Sequence, residues 1–96
     1  MTNYEIGRRK EYRCMGILKK QGAIWLRRSY GSHGIFDVTA VFPDKTLLIQ
    51  VKSNYMSKQE YAILAEFAKR IKADNIHVEI WRFRKPRAKP EITRLK

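Results

Sequence analysis

The chain has 96 residues, with 21 Lys and Arg against 9 Asp and Glu, so its formal net charge is +12. This length predicts one domain with a modest core, and this basic excess indicates a polyanionic partner, most commonly nucleic acid. No apolar stretch approaches the roughly 20 residues that span a bilayer, the N-terminus lacks the apolar segment of a signal peptide, and the lone Cys14 excludes an intramolecular disulfide. We therefore expect a cytoplasmic, intracellular protein with no membrane partner.

The first predicted element is a helix over residues 4–20. Its apolar positions, including Cys14 and Leu18, define a narrow stripe at helical spacing, and Glu11 projects from the middle of that stripe. A carboxylate in this position points toward the core. The alternative is an ordinary surface ion pair with Arg8 or a nearby lysine.

The remaining elements follow in a regular order. We predict a strand at 23–28, a loop at 30–34, a hairpin at 35–53, a helix over about 58–73 after the capping box Ser57-Lys58-Gln59-Glu60, and a strand at 76–83. Residues 84–96 contain six basic residues and predict an irregular basic tail with a short final strand at 92–95. This order favours one small α/β domain over residues 1–96, with a central mixed sheet flanked by helices.

Polar residues interrupt the two apolar runs of the predicted hairpin. Asp37 lies on the first run, whereas Gln50 and Lys52 lie two residues apart on the second and therefore share one face of a strand. A turn centred on residues 44–45 places Asp37 opposite Lys52. Because a buried polar trio is costly unless it has a function, these three residues form a candidate site.

Several motifs succeed one another between Gly7 and Lys52: a helix with Glu11, a turn at Gly22, the segment Arg28-Ser29-Tyr30-Gly31-Ser32, then Asp37 and the triplet Gln50-Val51-Lys52. This pattern resembles the PD-(D/E)XK nucleases, and more narrowly the archaeal-type Holliday junction resolvases, which also occur in viruses. The resemblance implies a restriction-endonuclease-like fold and leaves a viral or phage origin open. Gln50 departs from the pattern, because the family has Glu or Asp at this position.

The resemblance also implies a metal-dependent endonuclease that makes paired symmetric nicks in four-way DNA junctions through attack of an activated water. Asp37 would be the anchoring metal ligand, and the Gln50 amide oxygen, the Val51 carbonyl oxygen and Glu11 would be further ligands. Ligands that are all hard oxygens favour Mg²⁺, with Mn²⁺ as a substitute. Zinc is not favoured, because the histidines and Cys14 have no zinc-ligand spacing.

Further site residues are implied around this centre. Lys52 would position the attacking water or hold the scissile phosphate, and Ser32 would be a functional serine beside the site. His33 is a candidate phosphate contact or proton shuttle, and equally a plain turn histidine. Tyr30 is a candidate for stacking on DNA or for simple packing. The complete set of candidate DNA contacts is Arg8, Arg9, Arg13, Arg27, Arg28, Tyr30, Ser32 and His33.

No base-reading motif is present, so recognition of branched double-stranded DNA should rest on backbone charge and shape. The two-fold symmetry of a four-way junction predicts a homodimer, and Trp25, Trp81 and Phe83 are candidates either for its interface or for the core. Three alternatives remain open. They are a nuclease of the same fold that acts on flaps or other branched DNA, a non-catalytic DNA- or RNA-binding module with a degenerate site, and a small RNA-associated basic protein.

Overall fold

The computed structural model describes residues 2–29, 35–53, 55–85 and 87–96. The elements are α1 (Asn3–Lys20), β1 (Trp25–Arg28), β2 (Val38–Val41), β3 (Thr46–Lys52), α2 (Lys58–Arg70), β4 (Ile76–Arg82) and β5 (Glu91–Arg94). The strands form one sheet in the order β1-β2-β3-β4-β5, antiparallel except for the parallel β3–β4 pair, which α2 connects. The predicted fold class, a small α/β domain with a mixed sheet flanked by helices, is confirmed.

Both helices begin at side-chain caps. Thr2 accepts a hydrogen bond from the Glu5 backbone N–H at 3.2 Å, and Ser57 accepts one from the Glu60 backbone N–H at 3.1 Å, as the capping-box pattern predicts. After α1 the chain reaches Gly22, whose φ of +106° suits glycine. α2 ends at Arg70, three residues before the predicted end near residue 73. Neither helix in the described part of the chain is long and apolar enough to cross a membrane.

Most of the buried hydrophobic residues belong to one of two clusters. The larger one joins Cys14 and Leu18 of α1 to alternate residues of the sheet, and burial raises the pKa of the Cys14 thiol. Trp81 and Phe83 belong to this cluster and are each 1 % exposed, so the core interpretation of these two residues is correct. Trp25 is 50 % exposed. A smaller cluster contains Met56, Leu64 and Ile80, with Ile35, Phe36 and Leu95 packed against it.

The β2–β3 turn is tighter than the sequence suggested. The Phe42 N–H donates to the Lys45 carbonyl oxygen at 2.7 Å, so Pro43 and Asp44 are the central residues of the turn. Proline is suited to the first central position because its ring presets φ near −65°. The prediction that the turn centres on residues 44–45 is therefore wrong by one residue, and the strand register is wrong by two.

The shorter turn changes the position of Asp37. The β2–β3 ladder ends at the pair Val38–Ile49, and the Asp37 N–H donates to the Ile49 carbonyl oxygen at 2.9 Å. Asp37 therefore lies beside residues 49–51 and not opposite Lys52. A shift of two residues preserves the alternation of faces, so the buried residues of β3 still face α1.

Candidate active site

Asp37 immediately precedes β2 and contacts the backbone of β3. Its Oδ2 accepts a hydrogen bond from the Val51 N–H at 2.9 Å. Val51 is the residue between Gln50 and Lys52 in the chain. Burial raises the pKa of the Asp37 carboxyl above its ordinary value, although the Val51 hydrogen bond and the charge of Lys52 act in the opposite direction. The structure therefore brings Asp37 to the triplet 50–52 and holds its carboxylate partly out of water.

Glu11 reaches the same region from α1. It is partly buried, and its Oε1 accepts a hydrogen bond from Arg28 Nη1 at 3.1 Å. Burial raises the pKa of Glu11, the charge of Asp37 raises it further, and Arg28 lowers it. The expectation of an inward carboxylate agrees with this placement. The ion-pair partner comes from β1 and not from the helix itself, so helical spacing could not have revealed it.

Gln50 and Lys52 line a cavity of about 220 Å³ between β3 and α2. The cavity is walled by apolar side chains, including those of Ile35 and Met56, and its other charged residue is Glu60. Lys52 Nζ lies 2.6 Å from Glu60 Oε2. The sequence assigned Glu60 only to the capping box of α2. Its place beside Lys52 depends on how the crossover helix packs on the sheet, which no local signal specifies.

Arg82 is a second residue that the sequence did not single out. It is the register partner of Lys52 on the neighbouring parallel strand. Its Nε atom is buried and has no hydrogen-bond partner within the described part of the chain. A buried donor without an acceptor is costly, and this one belongs to a cationic residue beside Lys52 in the strand register.

The arginines predicted to contact DNA have different surroundings. Arg8 lies over the Tyr4 ring, 5.7 Å from its centroid, and Arg28 lies over the Tyr12 ring at 5.2 Å while it pairs with Glu11. Arg9 and Arg27 are exposed. Arg13 donates to the Ala88 carbonyl oxygen at 2.8 Å. Three other predicted contacts, Tyr30, Ser32 and His33, lie outside the described residues.

The donor atoms at this site suit a hard divalent cation. No three His, Cys, Asp or Glu residues of the described ranges are grouped closely enough to hold a metal ion. Glu11 and Asp37 are nevertheless close enough to raise the pKa of Glu11 by repulsion, and a bound cation would offset that repulsion. The family resemblance would add the Gln50 amide oxygen to these carboxylates, and donors that are all oxygen fit Mg²⁺ or Mn²⁺ better than zinc.

Comparison with solved structures identifies a similar fold in the 1.6 Å structure of Archaeoglobus fulgidus Hjc, a Holliday junction resolvase from an archaeal hyperthermophile. The two chains are 26% identical, and the alignment covers 93% of this chain and 72% of the other, with a TM-score of 0.65. The chain shares its fold with a Holliday junction resolvase. This similarity supports the resemblance found in the motifs and extends it from residues 7–52 to nearly the whole chain. No protein-family model and no curated protein sequence matches.

Proposed function

We propose that the chain is a divalent-metal-dependent endonuclease that resolves four-way DNA junctions. The observation that carries the proposal is the Asp37 carboxylate, held 2.9 Å from the Val51 N–H within the triplet Gln50-Val51-Lys52. Glu11 lies near enough for its pKa to respond to Asp37. The fold shared with a resolvase and the net charge of +12 support the same function.

Each residue of the site has a distinct role in this proposal. When bound, a divalent cation supplies charge neutralisation at the phosphate and activation of the attacking water. Asp37 and Glu11 hold the cation, and the Val51 N–H orients Asp37 by occupying one of its carboxylate oxygens. The Gln50 amide oxygen is a neutral ligand. The Val51 carbonyl oxygen is a further ligand by resemblance to the family, and Ser32 is a serine beside the site on the same basis.

Lys52 holds the scissile phosphate or the attacking water. To hold the phosphate, Lys52 exchanges the Glu60 carboxylate for a phosphate oxygen. The exchange is inexpensive because both side chains are partly exposed, at 22% for Lys52 and 47% for Glu60, and exposed ion pairs typically contribute no more than about 1 kcal/mol. Glu60 therefore keeps Lys52 in place before the substrate arrives.

Gln50 favours an alternative function, a DNA-binding module that does not cleave. Replacing the usual carboxylate by an amide removes one formal charge from the metal ligands, so metal binding should be weaker. The amide oxygen can still coordinate, and Glu11, Asp37 and Lys52 all remain. We therefore favour an active enzyme that requires a higher metal concentration.

Cleavage of a labelled, immobile four-way junction tests the proposal. The reactions contain Mg²⁺, Mn²⁺ or chelator, and flap, Y-shaped and linear DNA serve as comparison substrates. Paired symmetric nicks in the four-way junction, lost in Asp37→Asn, are the expected result. Tight junction binding without a nick in either metal would establish the binding module, and equal cleavage of flaps would establish a broader branched-DNA nuclease.

Two symmetric nicks require two sites, so we propose a homodimer. Trp81 and Phe83 are buried within the chain and cannot form its interface. Trp25 on β1 and Ile63 and Phe67 on α2 are among the exposed apolar side chains that could form it. Sedimentation equilibrium of the wild type and of Ile63→Glu measures the oligomeric state directly. A wild-type protein that is monomeric at micromolar concentration both alone and on the junction would contradict the proposal.

A further inference from the structure

A second charged region lies outside the candidate active site, between α1 and the β4–β5 connection. The described residues of this connection are 83–85 and 87–90. Residues 83–85 and 87 of this connection and residues of α1 line a groove of about 400 Å³, which we call the basic groove. Its cationic side chains come from two distant parts of the sequence: Arg9, Lys10, Arg13, Arg84, Lys85 and Arg87.

Contacts between α1 and the connection give the basic groove its shape. Arg13 Nη2 donates to the Ala88 carbonyl oxygen at 2.8 Å, and the Arg13 guanidinium lies 5.0 Å from the centroid of the Phe83 ring. Phe83 is itself buried in the main core. Arg13 thus ties the connection to the helix, so the groove is formed before any ligand binds.

The charge of the basic groove is largely uncompensated. None of its described lining residues is acidic, and five glutamates of the described ranges form ion pairs with cations. Of the groove cations, only Arg84 has a carboxylate partner within those ranges, and this partner is Glu91 at 2.8 Å. Cations gathered in this way repel one another. A polyanion removes that repulsion.

Arg87 has a backbone conformation that is unfavourable for arginine. Its φ is +64°, and among the described residues no other non-glycine residue has a positive φ. Such a conformation is unfavourable for a residue other than Gly, Asn or Asp, because the Cβ atom comes too close to the following carbonyl oxygen. Strain of this kind concentrates at functional sites, and here it accompanies an arginine that lines the groove.

The basic groove begins next to the candidate active site. Arg82, the last residue of β4, is the register partner of Lys52, and the Phe83 N–H donates to the Lys52 carbonyl oxygen at 2.8 Å. The connection therefore leaves the sheet at the strand ends where Lys52 and Asp37 lie. A nucleic acid whose scissile phosphate reaches Lys52 extends from there along the connection.

We propose that the basic groove binds backbone phosphates of one duplex arm of the substrate, away from the phosphate that is cleaved. The inference rests on the proposed function for the identity of the DNA. It assigns DNA contact to Lys10, Arg84, Lys85 and Arg87, and it gives Arg13 the role of a positioning residue. According to this proposal, one duplex arm lies along the basic groove and does not bind nonspecifically to the basic surface as a whole.

Salt dependence of DNA binding in chelator tests this assignment without requiring cleavage. The test variant is Lys85→Gln/Arg87→Asn, since Asn tolerates a positive φ. The matched control is Lys19→Gln/Lys20→Gln, which removes the same charge from exposed residues at the end of α1, about 15 Å along the helix from Lys10. Dissociation constants are measured for a four-way junction, a duplex of about 20 bp and a single strand of equal length.

The slope of log affinity against log salt concentration should decrease in magnitude by about 2 for the test variant on junction and duplex, and should be unchanged for the control. If the double variant does not fold, Lys85→Gln alone should change the slope by about 1. Equal slopes in wild type and test variant, an equal change in the control, or a change confined to single strands would each overturn the inference. A wild type that binds with the expected slopes but never cleaves would instead refute the proposed function and leave the groove assignment standing.

Discussion

Lys52 Nζ lies 2.6 Å from Glu60 Oε2, which joins the last residue of β3 to the first turn of α2. The pair closes one side of the cavity that Gln50 also lines. If Lys52 contacts a phosphate during the reaction, Glu60 is the anion that the phosphate displaces. The pair thus offers a direct test of whether Lys52 binds DNA.

Glu60→Gln should increase junction affinity several-fold at low salt, because it releases Lys52 and removes a negative charge beside the phosphate. The cost in unfolding free energy should stay below about 1 kcal/mol, since the pair is partly exposed and Gln also completes a capping box. Fluorescence anisotropy and urea denaturation measure the two quantities. Glu66→Gln on the same helix, where Glu66 pairs with Arg70 at 4.0 Å, is the control. An equal gain in affinity for Glu66→Gln would show that the effect comes from net charge and not from the release of Lys52.

Asp37→Asn should abolish cleavage, by at least about 100-fold, while junction binding is retained. The Asn amide oxygen can still accept the Val51 N–H that Asp37 accepts at 2.9 Å, so the strand ends should stay in place. Asp37→Ala leaves the Val51 N–H without an acceptor. If water does not replace the lost acceptor, the free energy of unfolding should fall by about 1–3 kcal/mol. Single-turnover cleavage and thermal unfolding distinguish the two variants. Residual activity near the wild-type level in Asp37→Asn would remove this site from the mechanism.

The raised pKa values of Glu11 and Asp37 predict how stability changes with pH. Since the folded state binds these protons more tightly than the unfolded state does, their contribution to the unfolding free energy falls as pH rises from the ordinary carboxyl pKa to the raised one. Above that range it is constant. The stability of Asp37→Asn relative to wild type should therefore increase as the pH rises from the ordinary Asp pKa, about 4, to the raised pKa. Urea denaturation across this range without metal measures the difference, and a difference that decreases with pH would contradict it.

Gln50→Glu should tighten Mg²⁺ binding and lower the metal concentration needed for half-maximal cleavage. A carboxylate at this position adds one negative charge to the region of Asp37, which costs stability without metal and is offset when the cation binds. The thermal midpoint of the variant should therefore rise more steeply with Mg²⁺ than that of the wild type. An unchanged metal dependence would show that residue 50 is not a ligand.

Arg82→Met should weaken junction binding without destabilising the fold. The buried Nε of Arg82 has no hydrogen-bond partner in the described ranges, so its removal should leave the unfolding free energy unchanged or raise it by about 1 kcal/mol. Arg70→Met, at the exposed end of α2, removes the same charge as a control. Destabilisation by Arg82→Met with unchanged junction affinity would assign Arg82 a purely structural role.

Local signals in the sequence predicted most of the elements. The predicted cap Ser57 acts within three residues of the start of α2, and strand alternation has a period of two, so both signals are visible in short windows. The predicted β4 and the final short strand lie within one residue of β4 (Ile76–Arg82) and β5 (Glu91–Arg94). The two-residue error in register arose at the turn, where Pro43 selects a tighter geometry than the one expected.

The side chains around the candidate site depended on packing between distant segments. Glu11 meets Arg28, and Lys52 meets Glu60. The first pair joins a helix to a strand 17 residues away, so neither helical nor strand spacing could predict it. The same is true of Trp81 and Phe83, whose burial was undecided until α1 was seen to cover that face of the sheet.

The sequence by itself determined the alternation of elements, the basic excess and the order of Glu11, Asp37, Gln50 and Lys52, because composition and short-range periodicity are properties of the chain alone. Only the tertiary structure decided which charges are paired and which remain available for a polyanion. The basic groove shows the reason. Lys10 and Lys85 are 75 residues apart in the chain, and they line one surface because the main core packs α1 against the sheet from whose β4 the connection leaves.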